Sequence, residues 1–474
     1  MNVCVIGTGY VGLVTGVCLA HVGHDVRCVD RDASKIALLE RGQSPIYEPH
    51  LDDLLATVQA SGNLQFTLDL QAGLHDAQVV IIAVGTPPLP SGEPDLSAVE
   101  QVALSIGEAI AAHPDAPLRI IVNKSTVPIG SGNWVEALVD EGGARLLARA
   151  GGRSDERSRG GTGPLTGRFI VASNPEFLRE GSAIADTFYA DRIVLGASDS
   201  RAIAALREMY APILEQTFTP PMFLPRPEQL TGVPLVTTDL QSAELIKYAA
   251  NAFLATKISF INEMSSLCEK VGADILEVAR GIGLDPRIGH RFLQAGAGWG
   301  GSCFGKDLSA LMATQREYHL EPRILEAAVA VNRAQRDRIV IKLQEGLKVL
   351  KGRTIGVLGL AFKPGTDDLR DAPALDIARS LVRLGARVRV HDPVAMTRCR
   401  QQHPDLDVVY ADDPVDLAAG TDALVLVTEW EAYRVLDWRE LTAVSRGRLV
   451  VDARNALDRE RIVAAGWTWV GVGR

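Results

Sequence analysis

The 474-residue chain is 47% hydrophobic and 23% charged, which fits a soluble globular protein of about three domains and not a disordered or fibrous one. Its 49 basic and 58 acidic residues leave a formal charge of −9, which counts against a non-specific nucleic-acid binder. No apolar run reaches the roughly 18–20 residues of a membrane helix, no secretory leader precedes the first strand pattern, and six cysteines without a CxxC make neither a disulfide framework nor a metal site. The expectation is a cytoplasmic protein with no membrane partner, no nucleic-acid partner and no metal.

Residues 3–7 (VCVIG) form a short β-branched run, 13–23 a helical pattern and 26–30 (VRCVD) a second strand, with GTGYVG at 7–12 as the turn. Gly7, Gly9 and Gly12 thus spell G-x-G-x-x-G after a strand and at a helix start. The first glycine makes the tight turn, the second lets backbone approach a pyrophosphate, and the third lets helix pack on strand. Tyr10 and Val11 belong to the same turn. Asp30 ends the next strand, where a carboxylate suits the ribose hydroxyls of NAD and repels the 2′-phosphate of NADP. Arg31 beside it is the residue type that accommodates such a phosphate, and Lys35 lies along the adenosine side or on the solvated surface.

Further strands are predicted at 79–84, 119–122 and 169–172, alternating with helical patterns, which implies a parallel sheet covered on both faces. Thr86 in VGTPP and Thr126 in KSTVP follow two of these strands and so face the ligand crevice. Residues 141–168, with eight Gly and six Arg, and 215–238, with five Pro, read as surface loops. Residues 239–273 contain no Pro and no Gly before Gly272, so they predict one long helix, a spine between domains or part of a dimer interface. From 354 the alternation returns, with a strand and turn at 355–362, a helix at 372–386 and strands at 388–393, 422–430 and 449–455, but no second G-x-G-x-x-G. The expected class is α/β: two Rossmann-like doubly wound parallel-sheet domains joined by a long central helix. The boundaries are 1–235 for the NAD-binding domain, 236–335 for the central helical domain and 336–474 for the second Rossmann-like domain.

Cys4, Cys18, Cys28 and Cys268 lie in apolar patterns and read as core; Cys399, between two arginines, reads as near the surface. Cys303 fits neither, standing among glycines in GWGGSCFGKD with Lys306 and Asp307 close behind. A nucleophilic thiol in a chain with a dinucleotide site suggests a specific chemistry. An aldehyde must become tetrahedral before it yields hydride; thiolate addition gives a thiohemiacetal, oxidation a thioester, and water then releases the acid. Lys247 and Asn251, four apart on the long helix, share a face and suit an alkoxide or oxyanion, while Glu176 and Asp307 are carboxylates able to move protons.

The segments GTGYVG, VGTP, KSTVP, NPEFLREGSAI, DRIVLG, AELIKYAANAFLATKISFINE, DPRIG, GGSCFGKD and LAFKPGTDDLRDAPA, in this order, resemble the nucleotide-sugar dehydrogenases over nearly the whole chain. That resemblance implies oxidation of a nucleotide sugar at C6 to the uronate with two NAD, the UDP-glucose branch fitting better than UDP-N-acetylhexosamine or GDP-mannose. It makes Cys303 the nucleophile, Lys247 and Asp307 its partners, and Glu176 the residue of thioester hydrolysis, with Asn251 and Thr126 ordering the reacting oxygen or its water. Substrate contacts are implied at Glu176 to Arg179 (with Phe177 and Leu178 between), at Phe292, Leu293, Gln294, Ala295 and Gly296, at Gly300 and Phe304, and at Lys363 and Arg454 of a UDP-sugar-binding C-terminal domain. Glu180, Lys306 and Arg370 fall on the cofactor side. Arg287 resembles an arginine that reaches a neighbouring subunit's substrate, so a homodimer or higher homo-oligomer is expected. The sequence departs from the family at Gly305, where proline is common, and in apparent insertions at 141–168 and before AELIKY. A nucleotide-sugar-binding protein without turnover is the alternative of a different class.

Overall fold

The computed structural model describes residues 1–89, 92–149 and 163–474. They form two compact units, Met1–Ala249 and Ala250–Arg474.

The first unit is built on eight strands: β1 (Asn2–Ile6), β2 (Asp25–Val29), β3 (Leu64–Thr67), β4 (Val79–Ile82), β5 (Arg119–Asn123), β6 (Phe169–Ser173), β7 (Ile193–Ala197) and β8 (Leu235–Thr238). Their order is β3-β2-β1-β4-β5-β6-β7-β8, so the winding reverses between β1 and β4. The strands β4 and β5 are buried at every position, as a sheet covered on both faces requires. Two apolar layers lie on it, one around Val5, Leu13 and Val17 and one around Ile82, Ile106 and Val139. The parallel expectation holds with one correction: β7 runs antiparallel to β6, and β8 then pairs parallel with β7.

Both predicted loops are also corrected. The helix Ser131–Arg149 runs straight through the Gly-rich start of 141–168, and 150–162 lie outside the described residues. Gly107 and Gly142 explain it: a Cβ on either would run into a carbonyl of the opposing helix (Val139 or Leu104), so these glycines permit a close crossing with helix Ser97–Ala112. The Pro-rich stretch is irregular until β8 forms its last residues.

The long helix is present as Leu240–Val271, 32 residues, close to the predicted 239–273. In the second unit, β9 (Thr354–Leu358), β10 (Arg387–His391), β11 (Val409–Tyr410), β12 (Ala423–Leu426), β13 (Leu449–Asp452) and β14 (Thr468–Val470) form an all-parallel sheet ordered β11-β10-β9-β12-β13-β14. Cys399 is fully buried in its core, not near the surface, because the short helix Met396–Gln402 turns it inward while Arg398 and Arg400 face outward. The other three apolar-pattern cysteines of the first unit and Cys268 are buried as expected. Among the described residues no helix is long and apolar enough to cross a membrane.

Candidate functional site

The carboxyl ends of β1, β4, β5 and β6 lie side by side at the reversal of winding, the place where open α/β sheets take ligands. Gly7, with φ +102, makes the turn, and a Cβ on Gly12 would collide with the Gly7 carbonyl. Gly9 begins the helix Tyr10–His21 with no side-chain cap and with open space where a Cβ would stand. That is the surface a pyrophosphate needs. Asp30 accepts from the Thr8 N–H (2.8 Å), the Thr8 hydroxyl (2.7 Å) and the Asp32 N–H (3.0 Å). Burial alone would raise its carboxyl, but these bonds and Lys35 hold it below the usual range, so it is ionised and oriented. These residues fit a dinucleotide. Thr86 is buried and donates to the Thr126 carbonyl at 2.8 Å, which joins the two predicted threonine loops.

Beyond β5 and β6 the first unit holds a buried set of charges. Lys247 on the long helix pairs with Glu176 at 2.8 Å, with side chains only 6% and 7% exposed. Glu176 also accepts from the Leu178 N–H at 2.7 Å. Burial pushes the Glu176 carboxyl up; Lys247, the Leu178 N–H and Lys124 outweigh it and hold it below the usual carboxylate range. Phe177 is covered by the Arg192 guanidinium at 3.6 Å, while Arg179 is exposed and paired with Asp186 at 2.5 Å. The loop carrying Glu180 is tied to the fingerprint by Glu48, which accepts from the Gly181 N–H (2.6 Å), the Ala183 N–H (2.7 Å) and the Tyr10 hydroxyl. Val11, Lys35 and Glu180 are half-buried on this unit.

In the second unit Cys303 is exposed and is the second residue of the helix Ser302–Glu317, not a loop residue. Its Sγ lies 3.6 Å from the Ser302 hydroxyl. Gly301, with φ +87, enters the helix against the Phe362 ring, and its N–H bonds the Arg370 carbonyl at 2.9 Å. A Cβ on Gly300 would strike the Asp371 carbonyl. Gly305 lies inside the first turn of the helix, so its freedom is not that of a loop. Asp307, 1% exposed, is held by the Asn251 amide at 2.6 Å and Lys306 at 3.2 Å. Trp299 and Phe292 both meet the Phe304 ring edge-on.

The expected nucleotide loop, Phe292 to Gly296, is threaded against the last strands. Leu293, Ala295 and Gly296 are buried, and Gln294 is exposed. The Gly296 N–H bonds Asn262, while Arg454 donates to the carbonyls of Val427 (2.7 Å) and Gly298 (2.9 Å). Lys363 lies 5.5 Å from the Phe362 ring, and Arg370 pairs with Asp368 at 2.8 Å. Arg287 stands apart, its side chain 88% exposed and paired with Asp285.

Several site-bordering residues carry no sequence signal of their own. Lys124 opens the KSTVP segment and Asn123 immediately precedes it. Glu48 precedes the helix Leu51–Ala60 and Glu244 lies inside the long helix, and neither belongs to a motif. Arg336 donates to the Trp299 carbonyl at 2.9 Å and to Asp371 at 2.7 Å, and Asn332 accepts from the Trp299 N–H at 2.7 Å. Their i, i+4 spacing is a possible signal, since it puts two polar groups on a face that is otherwise buried.

Residues 1–214 match the NAD binding domain of the UDP-glucose/GDP-mannose dehydrogenase family, 241–334 its central domain and 356–459 its UDP binding domain. The chain is 44% identical to the UDP-glucose 6-dehydrogenase of Rhizobium meliloti, with all of both chains covered. It is 43% identical to that of Pseudomonas aeruginosa, covering all of this chain and 98% of the relative. A UDP-glucose dehydrogenase structure from the hyperthermophilic archaeon Pyrobaculum islandicum superposes with a TM-score of 0.83 at 39% identity, over 99% of this chain and 97% of the other.

Proposed function

The chain belongs to the UDP-glucose/GDP-mannose dehydrogenase family, and from that premise we propose that it oxidises UDP-glucose at C6 to UDP-glucuronate in two steps, forming two NADH. NAD, held by the Gly7–Gly12 turn and Asp30, supplies the hydride acceptor of each two-electron step.

The chain's own groups divide the remaining work. Cys303 adds its sulfur to the C6 aldehyde and holds the carbon as a thiohemiacetal, then as a thioester. The start of a 16-residue helix is the end that favours a thiolate. Lys247, in its neutral form, takes up the hydroxyl proton, and the ammonium that results stabilises, with Asn251, negative charge on the reacting oxygen. Asp307, pinned by Asn251 and Lys306, is with Lys247 a polar partner of Cys303 in the first oxidation; Thr126 with Asn251 orders the reacting oxygen or its water, and Glu176 serves thioester hydrolysis. The nucleotide lies along Phe292–Gly296, with Lys363 and Arg454 giving the local positive charge that the net −9 does not. The working division is 1–235, 236–335 and 336–474. Six cysteines outside any disulfide suit the reducing cytoplasm, and the active form is a homodimer or larger homo-oligomer.

The observation that carries this reading is an exposed cysteine heading its helix in a chain that also holds an intact dinucleotide turn. The test is a panel of UDP- and GDP-sugars with NAD or NADP, followed by NADH absorbance and sugar analysis. Two NADH per UDP-glucose consumed is expected. One NADH with free aldehyde would reject the four-electron course, and a better rate with another nucleotide sugar would reassign the substrate.

A further inference from the structure

Lys124 follows β5 directly, its N–H bonding the Ile82 carbonyl at 2.9 Å, and its side chain turns inward to 8% exposure. The ammonium donates to Asn174 Oδ1 at 2.9 Å. That oxygen also accepts from the Tyr210 hydroxyl at 2.7 Å, and Asn174 Nδ2 donates to the Val194 carbonyl at 2.9 Å, which fixes the amide with its oxygen toward Lys124. Lys124 lines a small cavity of about 10 Å³, on the scale of a single water. Glu176 from the loop after β6, and Glu244, Lys247 and Tyr248 from the long helix, line it too. Tyr210 reaches the same amide from helix Ser200–Leu214. All these residues belong to the first unit. The Asn123 amide, 2% exposed, lines the cavity, and neither of its polar atoms has a protein partner among the described residues.

An ammonium buried beside a neutral amide is costly unless a carboxylate offsets it. Glu176 is that carboxylate, and it already holds Lys247 at 2.8 Å. One negative group therefore serves two positive ones. We propose that Lys124 is a positioning residue whose positive charge keeps the Glu176–Lys247 pair from holding its proton too tightly. For its catalytic consequence the proposal rests on the dehydrogenase reading; for its electrostatics it does not.

The sign follows from charge alone. A charged Lys124 repels the Lys247 ammonium and shares the pull of Glu176, so Lys247 gives up its proton more readily. Without that charge, Glu176 acts on Lys247 undivided. Burial lowers Lys124 itself to about 8, with Glu176 pulling up and Lys247 pushing further down, so its charge is present at neutral pH and lost on the alkaline side. Glu244, raised by burial against the pull of the Gly130 and Gly132 N–H groups, is engaged with the start of helix Ser131–Arg149.

The test compares wild type, Lys124→Met and Lys124→Arg by the pH dependence of kcat/KM for NADH formation. The limb of the profile that rises through neutral pH, where Lys124 is charged, should move to higher pH by at least about half a unit in Lys124→Met and return toward the wild-type position in Lys124→Arg, which restores charge. Superimposable profiles for wild type and Lys124→Met, or an arginine variant that tracks the methionine one, overturn the proposal. A thermal-melt cycle of Lys124→Met, Glu176→Gln and the double variant needs no activity and covers an arginine that does not fold. Removing Lys124 should harm the Glu176→Gln background less than the wild type, because two lysines there face each other with no carboxylate between them. Strict additivity overturns the proposal. A wild-type chain that makes no NADH at any pH sinks the dehydrogenase reading instead, and the melt cycle then decides this one.

Discussion

Replacing Cys303 by Ser keeps a hydroxyl at the head of the same helix but exchanges a thiol for a group that stays protonated at neutral pH, a far poorer nucleophile. Turnover to the acid should fall by several orders of magnitude while melting temperature and binding of both ligands hold, because Cys303 is exposed and no core packing depends on it. A near-wild-type rate in that variant would assign the covalent step to another group. Glu176 makes the opposite kind of prediction, about stability. Its carboxyl sits below the usual range when folded, against about 4.3 when unfolded. The folded chain therefore binds fewer protons between those values, and the stabilisation is complete above the unfolded value and lost as pH falls through the folded one. Glu176→Gln removes the carboxylate that faces Lys247 in a buried site and should cost about 3–5 kcal/mol at pH 7. In urea unfolding the gap to wild type should close as the medium is acidified below pH about 4; a gap independent of pH would place the effect in packing.

Helix Ser131–Arg149 shows how an element can be misread from composition. In an isolated helix Gly→Ala gains about 1 kcal/mol. At Gly142 a Cβ would meet the Leu104 carbonyl well inside contact distance, and overpacking costs about 1–3 kcal/mol. The packing effect wins, so Gly142→Ala should lower the denaturation midpoint, whereas a gain would mean the two helices separate freely. The same conflict limited the sequence reading. Strands with a strong apolar run, such as VVII at β4, and the fingerprint turn were legible because local pattern and final environment agree. The Gly-rich helix was not, since Gly142 answers to Leu104 on another helix, distant in the chain. Neither was the β6–β7 reversal, which depends on where the chain returns and not on its local period. Thr126, Glu176 and Lys247 stand out in the sequence by strand-end position, helix spacing and resemblance, but Lys124 and Glu48 do not, because what marks them is burial and partners distant in sequence. The second sheet carries a parallel lesson. Asp392 follows β10 as Asp30 follows β2, yet it is fully buried and accepts from the N–H groups of Leu360, Ala361, Val394 and Ala395 and from the Trp430 indole. Its acceptor sites are spent on its own turn, in keeping with the missing glycine motif.

A chain of net charge −9 has no general attraction for a second acidic copy, so assembly has to come from a local apolar surface. The long helix offers one. Phe253, Phe260 and Leu267 recur every seven residues and are 66%, 49% and 56% exposed. That spacing keeps them on one face over about four turns, and a contiguous exposed apolar stripe of this kind marks a protein–protein surface more often than a solvated one. In the proposed homo-oligomer this stripe is covered by another copy. Phe260→Glu should then shift the light-scattering mass toward a single chain and lower thermal stability in a concentration-dependent way. Arg287, exposed and paired with Asp285, is the residue at which assembly can be separated from the proposed substrate contact across subunits. Arg287→Ala should leave the mass unchanged and raise KM for the sugar nucleotide, while Phe260→Glu should raise that KM only as far as it dissociates the assembly. Mixing inactive Cys303→Ser chains with Arg287→Ala chains should restore part of the lost affinity, because each hybrid then holds one active thiol facing one intact arginine. Mixtures that behave as the weighted mean of their parents would confine Arg287 to its own subunit.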